Sequence, residues 1–268
     1  MTYYGGKRRM VNYILPLIPK HDIYVEPYFG GGTIFFAKNK SYLEVINDID
    51  FQLVNFYMNV QSNFEELQKL ISNAIYSEAL YKWAQKVYYK KIKVTSIENA
   101  YATWLVFNMA INSCPESGWS FNNGTGGSHS GYLLAHKRDS FCPWLKERMR
   151  YVQISQRPAM KVIKERDSEK TFFYLDPPYP NTNQGHYAGF KMSDLEELLQ
   201  LMETIKGKFI LSNYPAEIIT QYAKKNNWQL KEIEMKQDIQ NQMSRRSRKT
   251  EILLMNYKLK SELQLELF

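Results

Sequence analysis

The sequence is poor in the residues that build disulfide frameworks and zinc sites. Its 268 residues include two cysteines, Cys114 and Cys142, which lack a CxxC spacing, and four scattered histidines. A disulfide scaffold is therefore excluded, and no metal site is expected. The chain also lacks the run of roughly 20 apolar residues that a membrane span needs, and residues 1–7 contain no signal-peptide core. These absences predict a soluble cytoplasmic protein with no membrane partner.

Basic residues outnumber acidic ones, 35 to 27, which gives a formal net charge of +8. The excess is clustered in residues 7–9, 90–93, 137–138 and 245–249. Basic clusters interleaved with aromatic side chains are typical of proteins that bind phosphate-rich partners such as nucleic acids. A basic solvated surface without a partner would have the same composition, so charge alone leaves both interpretations open.

The amino-terminal part of the chain alternates between helix-like and strand-like patterns. Residues 8–18 have helical apolar spacing, and a short apolar run at residues 23–25 ends in Glu26-Pro27 before a glycine cluster. Residues 33–37 are predicted to start a helix, and residues 43–46 to form a second strand. Strand, glycine turn, helix and strand form a βαβ unit, which implies a parallel sheet with a ligand at its carboxyl edge.

The middle of the chain has a different pattern. Residues 51–110 are predicted to be helical because no strand alternation interrupts them, whereas residues 112–131 are rich in glycine, asparagine and serine. The latter stretch carries Trp119 and Phe121 and is interpreted as a functional loop. Toward the carboxyl terminus the α/β pattern resumes, with a capped helix from Ser193 and strands predicted at residues 152–154, 171–175, 208–211, 228–235 and 251–257. This organisation predicts an α/β fold with a parallel sheet, interrupted by a mostly helical insertion.

A glycine-rich turn follows the first predicted strand, in the sequence Glu26-Pro27-Tyr28-Phe29-Gly30-Gly31-Gly32-Thr33. Glycine allows the backbone to approach a ligand closely. Asp48 ends the next strand, where a carboxylate can accept both hydroxyl hydrogens of a ribose. The pair predicts a cofactor that carries a nucleoside, although a tight structural turn would look the same. Because the chain has no GxxxxGK[ST] motif, and because Glu26 would repel a pyrophosphate but tolerate a sulfonium, nucleoside triphosphates and nicotinamide cofactors are disfavoured.

The sequence Asp176-Pro177-Pro178-Tyr179 follows the strongest predicted strand, residues 171–175. A base amine is a poor nucleophile because its lone pair is delocalised into the ring. The Asp176 carboxylate and the Pro177 backbone carbonyl would accept the two amine hydrogens and favour a pyramidal, nucleophilic nitrogen. Tyr179 offers an aromatic face to a base that has left the double helix. A rigid turn capped by an aspartate is the alternative, and four such residues at a strand end favour the catalytic interpretation.

Four motifs occur in the order found in the Dam-type, alpha-class adenine-N6 DNA methyltransferases, which this chain resembles over most of its length. They are Tyr4-Gly5-Gly6-Lys7, the glycine turn, Asn47-Asp48-Ile49-Asp50 and Asp176-Pro177-Pro178-Tyr179, and residues 248–254 resemble the family's last core strand. The resemblance implies a Rossmann-like catalytic domain of residues 1–55 and 151–268, with a target-recognition insertion of residues 56–150. It also implies that S-adenosylmethionine donates a methyl group directly to the N6 amine of an adenine flipped out of double-stranded DNA.

The resemblance further implies roles for individual residues. Asp176, Pro177, Pro178 and Tyr179 would be catalytic. Cofactor binding would involve Tyr3, Gly6, Lys7, Glu26, Phe29, Gly30, Gly31, Gly32, Asp48 and Asp176, with Lys7 near the methionine moiety and Asp48 on the ribose. DNA contacts are expected from Trp119, Phe121, Lys137, Arg138, Arg245, Arg246 and Arg248. The protein would act as a monomer in a bacterial cytoplasm, encoded by the bacterium or by a phage, with a cognate restriction endonuclease as a further partner.

The chain departs from the family pattern at two places. Many members have an acidic residue near the cofactor adenine where this chain has Pro158, in Gln156-Arg157-Pro158-Ala159. Members that read GATC carry a tyrosine–arginine–asparagine hairpin, where this chain has Ser117-Gly118-Trp119-Ser120-Phe121. A target other than GATC is therefore expected.

Other functions are compatible with parts of the sequence. Cytosine-N4 DNA methyltransferases use a similar motif of aspartate or serine, two prolines and an aromatic residue, and an RNA substrate is a further alternative. A catalytically silent DNA-binding protein would keep the fold, although intact residues 176–179 argue against it. A nicotinamide oxidoreductase is disfavoured by Glu26 and by the absence of GxGxxG. Cys114 and Cys142 lie in no motif resembling the nucleophile of a cytosine-carbon methyltransferase, which favours direct transfer.

Overall fold

The computed structural model describes residues 7–122, 129–180, 189–235 and 249–259. The strands among these residues form a seven-stranded sheet in the order β3-β2-β1-β4-β5-β7-β6. Strands β1 and β4, β4 and β5, and β2 and β3 pair in parallel, whereas β7 is antiparallel to both β5 and β6. The strand bounds are β1 Ile23–Glu26, β2 Leu43–Asn47, β3 Gln153–Ser155, β4 Thr171–Leu175, β5 Lys208–Asn213, β6 Gln229–Met235 and β7 Lys249–Met255. This mostly parallel sheet confirms the predicted Rossmann-like α/β class.

Helices precede, connect and follow the strands. Their bounds are α1 Val11–Ile14, α2 Thr33–Ala37, α3 Phe51–Ser62, α4 Phe64–Ser72, α5 Glu78–Tyr88, α6 Ser96–Met109, α7 Ser130–Asp139, α8 Pro143–Met149, α9 Ala159–Arg166, α10 Met192–Met202 and α11 Glu217–Asn226. Short 3-10 helices occupy Leu15–Leu17 and Ile111–Ser113. Between β2 and the 3-10 helix at Ile111–Ser113 the described chain is helical, as the pattern of residues 51–110 predicts.

The chain divides into two compact units. The first unit comprises Met1–Arg8, Phe29–Ala37 and Val45–Pro158, and the second comprises Arg9–Tyr28, Lys38–Glu44 and Ala159–Phe268. The assignment of residues 1–55 and 151–268 to catalysis and of residues 56–150 to target recognition is a functional division, and it stays a prediction.

Helices α3 and α6 form the centre of the first unit, where Trp104 and Phe107 are buried. Each helix begins at a side-chain cap. Asp50 accepts a hydrogen bond from the Gln52 backbone N–H at 2.8 Å at the start of α3, and Thr95 and Glu98 form a capping box at the start of α6. Ser96 Oγ then donates to Asn55 Oδ1 at 2.7 Å, which joins the two helices.

Strand β4 lies at the centre of the second unit, between β1 and β5. All five of its residues are buried, as expected for a parallel strand covered on both faces. Because a strand of this kind cannot shift its register without exposing apolar side chains, the residues that follow it leave the sheet at a fixed point.

Several element boundaries differ from the predictions by one or more residues, and three of these differences have a local reason. The helical pattern of residues 8–18 gives only α1 and a 3-10 helix, because Pro16 lies in the first turn of the latter. Helix α10 begins before Ser193, and the Asp194 carboxylate closes its start by accepting a hydrogen bond from the Lys191 N–H at 2.6 Å. Strand β7 ends two residues early because the Asn256 side chain bonds the backbone of Phe209 and Gly207.

Within the described residues, no helix is long and apolar enough to cross a membrane. The same part of the chain contains no group of three or more His, Cys, Asp or Glu side chains that could hold a metal ion. Both cysteines are free thiols, and Cys114 is buried.

Candidate active site

The glycine turn of the first unit has a backbone that other residues rarely adopt. Gly30 and Gly32 have φ angles of 48° and 62°, in the left-handed region that favours glycine. The Gly32 N–H donates to the Phe29 carbonyl at 2.8 Å, and the Phe29 N–H donates to the Asn47 carbonyl at 2.9 Å. The turn is therefore fastened to the end of β2 and leads directly into α2.

Asp48 fixes the same turn through its carboxylate. Its Oδ2 accepts a hydrogen bond from the Gly30 N–H at 2.8 Å, and its Oδ1 accepts one from the Asp50 N–H at 3.0 Å. Burial raises the pKa of Asp48 to about 6, and these backbone hydrogen bonds oppose the rise. A buried carboxylate that already binds two N–H groups keeps further lone pairs for hydroxyl donors.

Tyr57 and Phe29 pack against each other beside the glycine turn. The sequence does not predict the role of Tyr57. The Tyr57 hydroxyl donates to the Gly30 carbonyl at 3.0 Å, and its ring meets the Phe29 ring edge to face, with centroids 4.8 Å apart. A Cβ atom on Gly32 would lie 2.4 Å from Phe29 Cζ. Because Tyr57 belongs to α3 and not to a turn motif, the glycine pattern could not reveal it.

Asn47 fastens the segment after β3, where the chain departs from the family pattern. Its Nδ2 donates to the Arg157 carbonyl at 2.9 Å, and its Oδ1 accepts from the Arg157 N–H at 3.0 Å. Both backbone groups of the residue before Pro158 are thus bonded by one amide side chain. The motif Asn47-Asp48-Ile49-Asp50 does not predict this contact, because Arg157 lies 110 residues away in sequence.

In the second unit, Asp176 follows the buried end of β4. Asp176 is half-buried, Pro177 is buried and Tyr179 is 7% exposed. The Tyr179 hydroxyl donates to Glu251 Oε1 at 2.5 Å and lies 3.4 Å from Asp176 Oδ1. Its ring meets that of Tyr214, with centroids 4.4 Å apart and planes tilted by 64°. The motif is therefore connected both to β7 and to the segment that follows β5.

Three carboxyl groups lie near Tyr174 in the second unit: those of Glu26 and Glu251, which are buried, and that of Asp176, which is half-buried. Burial, first, and then the carboxylates of Asp176, Glu26 and Glu251 raise the pKa of the Tyr174 hydroxyl well above its ordinary value. Glu26 accepts a hydrogen bond from the Tyr24 hydroxyl at 2.6 Å. Such a region attracts a cation and repels an anion. Glu251 was not among the candidate residues, yet it is buried like Glu26.

The remaining cofactor candidates lie at the amino terminus. Lys7 is buried in the first unit, with 7% of its surface exposed. Tyr3 and Gly6 lie outside the described residues. Gly31 lies between the two strained glycines of the turn and is itself half-buried.

The DNA-binding candidates differ in their surroundings. Trp119 forms a β-bridge with Ala110, and its ring lies 5.5 Å from the Tyr76 ring and 6.0 Å from the Phe121 ring. Phe121 is 68% exposed. The segment that carries these rings therefore folds back onto the end of α6 and presents one aromatic side chain to solvent.

Two basic candidates on α7 contact helix ends of their own unit. Lys137 Nζ donates to the Asn108 carbonyl at 3.0 Å, and burial lowers the pKa of Lys137. The Arg138 guanidinium donates to the Ala74 carbonyl at 2.8 Å, just beyond α4. Cations at the carboxyl ends of helices stabilise them. DNA contact by these two residues stays a prediction, and Arg245, Arg246 and Arg248 lie outside the described residues.

The Rossmann-like sheet and the order of its motifs are those of a methyltransferase, and the comparisons with known proteins give its family. A family model for the D12 class N6 adenine-specific DNA methyltransferases matches residues 3–239. The type II methyltransferase M1.LlaDCHI of Lactococcus lactis subsp. cremoris is 26% identical over 278 residues, which cover 94% of this chain and 93% of that protein. The DNA N-6-adenine-methyltransferase of Escherichia phage P1 is 25% identical over 209 residues, which cover 74% of this chain and 27% of that protein.

The chain therefore belongs to the D12 class N6 adenine-specific DNA methyltransferase family. The resemblance stated from the motifs is confirmed, and so is the assignment as an adenine-specific DNA methyltransferase. Membership of a methyltransferase family implies dependence on S-adenosylmethionine, and a DNA methyltransferase acts on a DNA substrate.

Proposed function

We propose that this enzyme flips an adenine out of double-stranded DNA and holds its N6 amine with Asp176 and Pro177 during direct methylation. The observation that carries the proposal is the position of the half-buried Asp176 carboxyl at the end of a strand buried on both faces. An acceptor held this rigidly does not reorganise as charge develops on the amine nitrogen. Pro177 adds a carbonyl oxygen and has no N–H that would compete for the same acceptor.

The cofactor proposal assigns Gly30–Gly32, Phe29 and Asp48 to the nucleoside, and Glu26, Lys7 and Asp176 to the methionine end. When bound, S-adenosylmethionine supplies a methyl group activated by a positively charged sulfur. The residues fit this group in two respects. The glycine turn holds Gly30 and Gly32 in left-handed backbone conformations, which let a backbone approach a ligand closely. The carboxylates of Glu26, Asp176 and Glu251 near Tyr174 favour a cationic centre over a pyrophosphate. Tyr3 and Gly6 are proposed as further cofactor residues on the resemblance alone.

The product of the reaction tests the proposed function. Purified enzyme is incubated with unmethylated DNA and S-adenosylmethionine labelled in the methyl group, and the DNA is then digested to nucleosides. We expect the label only in N6-methyl-2′-deoxyadenosine. Label in N4-methylcytosine would replace the adenine assignment by the cytosine one, and DNA binding without any label would favour a silent binding protein. Competition with unlabelled RNA separates a DNA from an RNA substrate.

Protonation of Asp48 gives a pH dependence that can be measured. The hydroxyl groups of a ribose bind the charged carboxylate better than the neutral acid, so binding lowers the pKa of Asp48 from about 6. The dissociation constant for S-adenosylmethionine should therefore be constant above pH 7 and rise about tenfold per unit as the pH falls below 6. Calorimetric titration between pH 5 and 8 measures this.

The Asp48→Asn variant is the matched control for this pH profile. It removes the titrating group and keeps the side-chain size, so its affinity should be weaker at pH 7.5 and independent of pH. A wild-type profile that stays flat down to pH 5 would remove Asp48 from cofactor binding.

We propose that Phe121 stacks on DNA as part of a target-recognition region within residues 56–150. Base–aromatic stacking contributes about 1–3 kcal/mol, so Phe121→Ala should weaken DNA binding by roughly 5- to 150-fold without changing the affinity for S-adenosylmethionine. Fluorescence anisotropy with labelled duplex measures the first quantity. Tyr42→Ala, at a residue that is 96% exposed, is the control for loss of an exposed ring. Equal DNA affinity of the Phe121 variant and wild type would make this segment structural.

The proposal also includes a target other than GATC, action as a monomer, and a cognate restriction endonuclease as a further partner of the enzyme. Sequencing of methylated positions in DNA from a host that expresses the protein identifies the target. Light scattering of the purified enzyme with and without duplex measures the oligomeric state. Methylation of GATC alone would contradict the expectation drawn from residues 117–121.

A further inference from the structure

Glu251 is a buried carboxylate within residues 248–254, the segment that resembles the family's last core strand, and it lies outside the four motifs that point to the site. It is 3% exposed on β7. Its Oε1 atom accepts two hydrogen bonds, from the Tyr179 hydroxyl at 2.5 Å and from Ser212 Oγ at 2.8 Å. A single carboxylate oxygen thus joins the last residue of the Asp176–Tyr179 motif to the end of β5.

The strand register explains why these groups meet. Leu175 of β4 pairs with Leu211 of β5, so Asp176, which follows β4, and Ser212, near the end of β5, lie at the same edge of the sheet. Strand β7 runs in the opposite direction, with Ser212 opposite Leu253 and Asn213 opposite Ile252. In the direction of β5, the residue of β7 that comes after Ile252 is Glu251. Because β7 is antiparallel, Glu251 lies near the start of β7 and at the same edge as the end of β5. The antiparallel addition of one strand therefore brings a carboxylate to a motif 72 residues away in sequence.

The hydrogen bond to Glu251 fixes an otherwise rotatable ring. Hydrogen bonds to charged acceptors are shorter and stronger than neutral ones. Burial and the carboxylates of Asp176 and Glu251 raise the pKa of Tyr179, so its hydroxyl stays a donor at neutral pH. The Tyr214 ring contacts the Tyr179 ring, and Glu251 holds the Tyr179 hydroxyl. Two contacts of this kind leave one orientation for the ring.

We propose that Glu251 is a positioning residue for methyl transfer: through the Tyr179 hydroxyl it fixes the orientation of the ring that holds the target base, and Ser212 orients the carboxylate. This inference rests on the proposed function, in which Tyr179 contacts the flipped adenine. Glu251 itself touches neither DNA nor cofactor in this proposal.

A double-mutant cycle tests the inference on the full-length enzyme. Tyr179→Phe removes the donor, Glu251→Met removes the acceptor at nearly constant size, and the double variant removes both. Transfer of labelled methyl groups to long unmethylated DNA gives kcat and the KM for S-adenosylmethionine. Each single variant should lower kcat by about 10- to 100-fold, the range for a hydrogen bond to a charged group, with the KM for the cofactor unchanged. The double variant should be no slower than the slower single variant, because both changes remove one interaction.

Two further variants separate positioning from loss of folding. Glu251→Gln keeps an acceptor for the Tyr179 hydroxyl and should retain kcat within about threefold of wild type. Glu232→Met replaces an exposed glutamate on the neighbouring strand β6 and should leave kcat unchanged. If Glu251→Met does not fold, the double variant, which leaves no unpaired tyrosine hydroxyl, and the Gln variant still give the comparison.

The outcomes also distinguish this inference from the proposed function. Additive losses in the cycle, or a Glu251→Met enzyme with normal kcat, would overturn the role of Glu251 while the wild type still methylates adenine and Asp176→Ala does not. If the wild type gives no methyladenine, or if Asp176→Ala is fully active, the proposed function is wrong, whatever the result for Glu251. A coupled cycle together with an inactive Asp176→Ala variant supports both.

Discussion

Asp176→Ala should reduce methyl transfer by about 10³-fold or more, the upper range for removal of one preorganised hydrogen-bonding group in an active site. The alanine leaves the N6 amine with no carboxylate acceptor at the end of β4. The dissociation constant for S-adenosylmethionine should change far less, because the glycine turn and Asp48 hold the nucleoside in this proposal. Single-turnover transfer of labelled methyl groups measures the first quantity, and calorimetric titration measures the second.

Two controls make the Asp176 result specific. Asp176→Asn keeps one carbonyl acceptor and should fall between wild type and the alanine variant. Glu196→Ala removes an exposed carboxylate on α10 and should have wild-type activity. Normal turnover by Asp176→Ala would exclude this residue from the mechanism, and an equal loss of cofactor affinity would reassign it to binding.

Gly32→Ala should weaken binding of S-adenosylmethionine by at least tenfold and destabilise the protein by about 2 kcal/mol. An alanine at φ 62° adopts the left-handed region at a cost of about 1–2 kcal/mol. Its Cβ would also lie 2.4 Å from Phe29 Cζ, so the ring must leave its present position against Tyr57. Thermal unfolding without cofactor and calorimetric titration with cofactor measure the two effects.

Gly118→Ala is the matched control for the glycine turn. A Cβ at Gly118 would meet only Ile111 Cδ1, at 4.0 Å, and its φ is not in the left-handed region. Stability and cofactor affinity of this variant should equal those of wild type. If Gly32→Ala binds S-adenosylmethionine as tightly as Gly118→Ala does, the turn has a structural role only.

Local pattern predicts most of the sheet because the strands are short apolar runs with polar ends. The predicted strand at residues 171–175 coincides with β4, and α2 begins at Thr33, where a helix start is predicted. The first is an apolar run bounded by charged residues, and the second follows directly on a glycine cluster. Boundaries fail where a side chain bonds the backbone, as Asn256 does at the end of β7, because apolar periodicity does not record such bonds.

The candidate residues that the sequence predicts are those in contiguous motifs. Asp48 and Asp176 end strands, and a polar residue directly after an apolar run is a local signal. Tyr57 and Glu251 act on these motifs from elements distant in sequence, so no local pattern connects them. One signal was available for Glu251, a charged residue at the start of the apolar run Ile252-Leu253-Leu254, since a buried charge in a strand requires partners.

Arg148 limits how the proposed target-recognition segment can be exchanged between enzymes. Its guanidinium donates to the Phe35 carbonyl at 2.8 Å and lies 3.6 Å from the Phe35 ring centroid. Phe35 belongs to α2, which begins directly after Gly32. A chimera that replaces residues 56–150 as a cassette, without an arginine at this position, removes that donor from the helix next to the glycine turn. Grafts designed to change the recognised DNA sequence should therefore end before α8, so that Arg148 and its contacts with Phe35 of α2 are kept.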